Sequence, residues 1–176
     1  STGNAVDLGD NNNGKITRPS TGASNATRGF IIGGHTPSPS PGKVNFISYL
    51  TIPTLGNAND FGDLTQARSA AAAVSSPTRI VNGGGSVPSP SQNYIDYWDI
   101  ATTGNAVDFG DLTHSLSVGS SFCSPTRGVW AAGYAGGNTN ILNYVTIATY
   151  GDAVDYGDLN RSCHRTGAAS NSHGGL

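Results

Sequence analysis

The chain has 176 residues, a formal net charge of −2, 11 percent charged residues and 36 percent hydrophobic residues. That suffices for one domain or a short array of repeats with a modest core, and is too little for two compact domains. The near-neutral balance excludes a basic nucleic-acid footprint, and no apolar run reaches the length of a membrane-spanning helix.

All eleven acidic residues are Asp, beside 25 glycines and many Ser, Thr and Asn. Asp, Asn and Gly build tight turns whereas Glu and Lys favour helix surfaces, so an all-β chain is expected. Regularly spaced Ile, Val, Tyr and Trp give it something to bury, which argues against disorder. With no Met, even at position 1, the sequence reads as a mature product or a piece of something longer. The missing secretory signal therefore says nothing about location.

The first element in chain order is "TGNAVDLGD" from Thr2, and it returns as "LGNANDFGDLT" from Leu55, "TTGNAVDFGDLT" from Thr102 and "YGDAVDYGDLN" from Tyr150. Its glycine falls at Gly3, Gly56, Gly104 and Gly151, with spacings of 53, 48 and 47. Self-similarity at such a period marks a repeat architecture. Asp108-Phe109-Gly110 matches the magnesium-binding letters of protein kinases, but no phosphate loop, catalytic-loop Asp or strand lysine accompanies it. Four copies argue for architecture. "AVDFGDLT" is expected to be a strand with its glycine as a bulge or bend.

The next element is "ATRGFIIGG" from Ala26, repeated as "PTRIVNGGG" from Pro77 and "PTRGVWAAG" from Pro125, a strand ending on glycines that permit a turn. Then comes "NFISYLTIPT" from Asn45, with "NYIDYWDIAT" from Asn93 and "NILNYVTIAT" from Asn140. Its period of two suits a strand, and Tyr49, Tyr97 and Tyr144 share one slot as Ile52, Ile100 and Ile147 share another. "ARSAAAAVSSPT", "HSLSVGSSFCSPT" and the stretch after Asp10 supply a further strand. The run Ala70 to Ala73 is helical by propensity, but the next copy reads "LSVGSSF", so a strand is expected there too. The extra residues of the first unit fall in "NNNGK" and "PSPSPG", where loops absorb them. The result is a single repeat domain over 1–176: a partial unit at 1–29, units at about 26–75, 76–124 and 125–171, and a residual strand to 176.

This order of strands resembles the kelch repeat of β-propellers. Gly33-Gly34 and Gly83-Gly84 stand where kelch units carry a di-glycine, a Tyr follows in the third strand, and Phe61, Phe109 and Tyr156 take the place of the aromatic before the fourth. The third unit departs from the pattern, with Ala132-Gly133. "ATTGNAVDFGDLT" together with "PTRGVWAAG" is also similar to arrays in long repeat proteins of bacteriophages and environmental bacteria. That resemblance implies four-stranded, propeller-blade-like units and a role in a virion fibre or surface appendage. A β-trefoil or β-prism is the alternative for three units of four strands.

Residues 1 to about 29 and 148 to 176 are the same portion of the unit, present twice, so the chain is not expected to close on itself. Surplus edge strands invite pairing with another chain, and a head-to-tail contact that does not close gives a filament.

The polar candidates are the recurring aspartates. Asp60, Asp63, Asp108, Asp111, Asp155 and Asp158 could offer calcium its oxygen ligands. The preferred reading is that they cap turns or pair with the recurring Arg28, Arg79 and Arg127. Trp98, Trp130, Tyr134 and Tyr150 are the sugar-stacking candidates. Asn25-Ala26-Thr27 and Asn160-Arg161-Ser162 match the N-glycosylation pattern, and Cys123 with Cys163 is the disulfide candidate. The histidines at 35, 114, 164 and 173 occupy unrelated repeat positions, so no catalytic set, no enzyme and no cofactor is expected. The expected role is a structural, self-assembling subunit at the cell exterior or virion surface whose partners are copies of itself. The alternative is a carbohydrate-binding module that takes surface glycans.

Overall fold

The structure, a computed structural model, describes residues 3–11, 21–36, 42–87, 91–117 and 119–170. No helix occurs among them; twelve β-strands make three antiparallel four-stranded sheets. Sheet 1 contains β1 (Thr21–Ser24), β2 (Arg28–Thr36), β3 (Gly42–Thr51) and β4 (Asn59–Asp63). Sheet 2 contains β5 (Ala72–Ser75), β6 (Arg79–Gly83), β7 (Tyr94–Asp99) and β8 (Val107–Asp111). Sheet 3 contains β9 (Ser120–Cys123), β10 (Arg127–Tyr134), β11 (Asn138–Thr146) and β12 (Val154–Cys163). Each sheet is a meander in chain order. The strand that precedes each Thr-Arg segment thus opens a sheet, so the hydrogen-bonded sheets are offset by one strand from the units read along the sequence.

The alanine-rich segment is strand β5, pairing Ala72 with Gly83 and Ser75 with Ile80. Tertiary pairing overrides the local helical propensity of alanine. The expected glycine bulge is also present. Ile47 pairs with Gly62 and Ser48 with Asp60, leaving Phe61 as the extra residue, and the same shift recurs at Phe109 and Tyr156. Gly62, Gly110 and Gly157 take φ of 148, 143 and 121 degrees there. One glycine pair is corrected. Gly33-Gly34 superimposes in the repeat on Gly84-Gly85, not Gly83-Gly84, with φ of 57 and 132 against 67 and 103 degrees. Ala132 holds the same left-handed conformation at 56 degrees, which costs an L-residue about 1 kcal/mol over glycine.

The sheets stack face on face. One core, including Phe30, Ile47 and Phe61 from sheet 1 and Ile80, Trp98 and Ile100 from sheet 2, joins the first two sheets. A second, including Val81, Ile95 and Phe109 from sheet 2 and Trp130, Val145 and Ile147 from sheet 3, joins the next two. Sheet 2 is therefore covered on both faces, which is why β6 is buried at four of five positions. No core among the described residues joins sheet 3 back to sheet 1. Along the inner edge β1, β5 and β9 approach one another through small side chains. Ser75 Oγ donates to the Ser24 carbonyl at 2.8 Å and Ser121 Oγ to the Ala73 carbonyl at 2.8 Å. Residues 166–170 lie against β9 in the same manner, with Thr166 Oγ1 3.0 Å from Ser120 Oγ.

Candidate functional site

The recurring glycine motif turns out to be a joint between successive units. In each unit a turn with N–H groups facing outward, Gly56-Asn57-Ala58, Gly104-Asn105-Ala106 or Gly151-Asp152-Ala153, sits against the bulge of the unit before it. Gly104 N donates to the Phe61 carbonyl and Ala106 N to the Asp63 carbonyl, both at 2.8 Å. Asp63 N in return donates to Asn105 Oδ1 at 3.0 Å. The next joint repeats this: Gly151 N to the Phe109 carbonyl at 2.9 Å, Ala153 N to the Asp111 carbonyl at 2.7 Å, and Asp111 N to Asp152 Oδ1 at 3.0 Å. Residues Leu8-Gly9-Asp10 make the same three bonds to Gly56-Asn57-Ala58, at 2.8, 2.9 and 2.9 Å. The contact explains the glycine. A Cβ at Gly9, Gly62 or Gly110 would lie within 3.0 Å of the backbone of the facing turn. Asp152 replaces the Asn of the other turns, and burial together with the Asp152 and Asp108 carboxylates pushes Asp111 above the ordinary carboxylate range.

A clamp closes the two joints between sheets on their other side. The Arg28 guanidinium stacks 4.8 Å from the Tyr49 ring and donates to the carbonyls of Ile100 and Ala101 in the next unit. Arg79 stacks 4.7 Å from Tyr97 and donates to Ile147 and Ala148, both at 3.2 Å. Arg127 stacks on Tyr144 and Tyr156 at 4.7 and 5.9 Å, and among the described residues donates to no such pair of carbonyls. The anticipated pairing of these arginines with the motif aspartates is replaced by this arrangement. Of these three, among the described residues, Arg79 alone meets an aspartate, Asp99 of its own sheet, at 3.1 Å. The clamp explains the recurring Thr-Arg and Tyr slots, whose carbonyl partners leave no trace in side-chain identity.

The joint is half built on sheet 3. Phe61 and Phe109 are 2 and 3 percent exposed, whereas Tyr156 in the same slot is 51 percent exposed. On sheet 1, Ile52 is 44 percent exposed, against 3 percent for Ile100 and 1 percent for Ile147. A Cβ at Gly157 would meet nothing within 4 Å. A shallow groove lined by Phe122, Arg127, Val129 and Tyr156 runs over this face of sheet 3.

The remaining candidates take other places. Asp155 Oδ1 accepts from Gly157 N at 2.8 Å, as Asp7 Oδ1 does from Gly9 N at 3.0 Å, so these carboxylates hold the bulge. Asp60 and Asp108 sit in β4 and β8 beside it, and Asp158 in β12 pairs with Ile141. Among the described residues no three His, Cys or acidic side chains come together as a metal ion would need. Trp98 and Trp130 lie in the two inter-sheet cores with their ring faces covered, and Trp130 Nε1 donates to the Ala72 carbonyl at 2.8 Å. Tyr134 and Tyr150 are both exposed, Tyr134 beside His164 and Tyr150 with its ring 5.0 Å from that of Tyr97 at the rim of a joint. Asn25 is occupied in a turn, accepting from Thr27 N and Arg28 N at 2.9 and 2.8 Å and donating to the Pro77 carbonyl at 2.9 Å. Asn160 is exposed on β12.

The disulfide expectation is corrected, since Cys123 and Cys163 are both free. They lie on β9 and β12, the opposite edges of sheet 3, so three strand spacings of about 4.8 Å separate them at the least, and a disulfide needs Cα atoms within about 7 Å. His173, the "NNNGK" insertion after Asn11 and the proline-serine runs at 37–41 and 88–90 lie outside the described residues. No protein-family model matches the chain, and a search of curated proteins gave no match.

Proposed function

We propose that this chain is a structural, self-assembling subunit of an extracellular or virion fibre, built of propeller-blade-like units and joined head to tail by backbone pairing. The observation that carries the reading is the single joint design, used three times within the chain and left with an open bulge, an unclamped Arg127 and an exposed Tyr156 on sheet 3. An uncovered unit interface in a stacked repeat protein favours another unit, because each unit buries its apolar face only against a neighbour. Uniform repetition also suits a stiff, regular surface. Electron micrographs and sedimentation velocity of the purified chain test this. Filaments or a ladder of oligomers that lengthens with concentration are expected; a compact monomer throughout the micromolar range would overturn the reading.

A further inference from the structure

Resting on that assembly reading, we infer that residues Leu8 to Asp10 are a removable plug, occupying on sheet 1 the seat that the Tyr156-Gly157-Asp158 bulge of a second copy takes when two chains join. The seat is the outward N–H pair of Gly56 and Ala58 with Asn57 Oδ1 between them. Within one chain it is filled by Leu8-Gly9-Asp10 through the same three bonds that fill the other two seats. It holds one bulge at a time.

The plug is the thinnest of the four copies. Phe61, Phe109 and Tyr156 put an aromatic ring at the bulge, whereas the plug has Leu8, itself 36 percent exposed. Residues 3–11 belong to no strand, and 3–10 are exposed throughout, so among the described residues no sheet stands behind the plug. The bulge on β12 has the whole of sheet 3 behind it. Exchanging one for the other replaces Leu8 by Tyr156 and brings Arg127 to the second copy's Ile52 and Pro53 carbonyls. These are the repeat counterparts of Ile100-Ala101 and Ile147-Ala148, which Arg28 and Arg79 already clamp. The exchange also covers Ile52, the one member of its slot left exposed. The occupant is a second copy of this chain because both halves of the missing contact are on the same molecule, in the register its internal joints display.

A plug of this kind taxes assembly by reducing the fraction of chains with an open seat. Gly9→Ala strains only the plug, since its methyl would strike the Gly56 carbonyl from a backbone at φ of 140 degrees. Leu8→Lys loosens it by a second route, and Arg127→Ala removes the clamp on the opposite face. Light scattering of the full-length chain measures the concentration at which assembly begins. Both plug variants are expected to lower that threshold by about tenfold and Arg127→Ala to raise it by about tenfold. If wild type assembles and the plug variants do so at the same or a higher concentration, the plug is refuted while the fibre reading survives. Should wild type and both plug variants stay monomeric at every concentration, both ideas fall.

Discussion

At the scale of single residues, the repeat carries its own control experiments. Arg68 and Asp96 are fully buried and paired at 2.6 Å, with Thr65 Oγ1 donating to Asp96 at 2.6 Å. Burial still pushes the Asp96 carboxyl upward against the pull of the Arg68 guanidinium. One unit later the same two places hold Leu116 and Asn143, and Thr113 donates to Asn143. Arg68→Leu alone is expected to cost about 3–5 kcal/mol, because it strands a buried carboxylate. Arg68→Leu with Asp96→Asn copies the third unit and should recover most of that loss, as read by urea denaturation. His114 occupies the place of Gln66, and burial holds its imidazole below the ordinary value. The unfolded chain then binds the proton more readily, so His114 contributes stability that is present above about pH 6.5 and is lost as pH falls below it. His114→Gln should flatten the decline in urea midpoint between about pH 7 and pH 5.5.

At the scale of elements, the strands are held twice, by ladder bonds within a sheet and by joints between sheets. The guanidinium clamp is the part that side-chain chemistry can dissect. Arg79 combines ring stacking on Tyr97 and Tyr150 with two carbonyl acceptors in the next unit. Arg79→Ala is expected to cost about 1–3 kcal/mol, whereas Arg127→Ala, which among the described residues loses ring contacts without a carbonyl partner, should cost under about 1 kcal/mol. Arg79→Lys should not restore the loss, because a single ammonium nitrogen cannot lie flat on a ring, reach two carbonyls as Nη1 does and meet Asp99 as Nε does all at once. Thermal melts of the three variants at one protein concentration check this ranking, and equal losses at positions 79 and 127 would contradict it.

At the scale of the whole molecule, three sheets and two cores make a nearly one-dimensional stack in which each unit depends on its neighbours. Trp130 from sheet 3 fills the second core, and its ring edge lies where a Cβ on Gly83 would fall. Trp130→Ala is expected to remove about 3–5 kcal/mol from that interface alone. Unfolding should then split, since stability in such arrays is a sum of unit and interface contributions. Trp98 would be the only tryptophan left and lies in the first core. Its fluorescence should report a transition at higher urea than the loss of sheet signal by circular dichroism, and coincident curves would show the stack to be indivisible.

The sequence by itself determined the all-β character, the recurrence of four-stranded units and the bulges at Gly62, Gly110 and Gly157, while the first motif copy at Thr2 to Asp10, expected as a further strand, forms none over its described residues 3–10 and the residual strand toward 176 lies outside the described residues. These follow from local rules: period-two patterning, the φ freedom of glycine, and loops as the place for insertions. Covariation within the repeat, Arg68 with Asp96 against Leu116 with Asn143, was also there to be read, as was the recurrent Asn57, Asn105 and Asp152. Only the tertiary structure decided which strand opens each sheet, because adjacent copies of a periodic sequence can be divided at any phase and long-range pairing alone selects one. It likewise decided that Trp98 and Trp130 face cores, that Cys123 and Cys163 stand on opposite edges, and that the arginines reach for carbonyls. A backbone carbonyl is the same at every residue, so a partner of that kind becomes visible only when the chain has brought it within bonding distance.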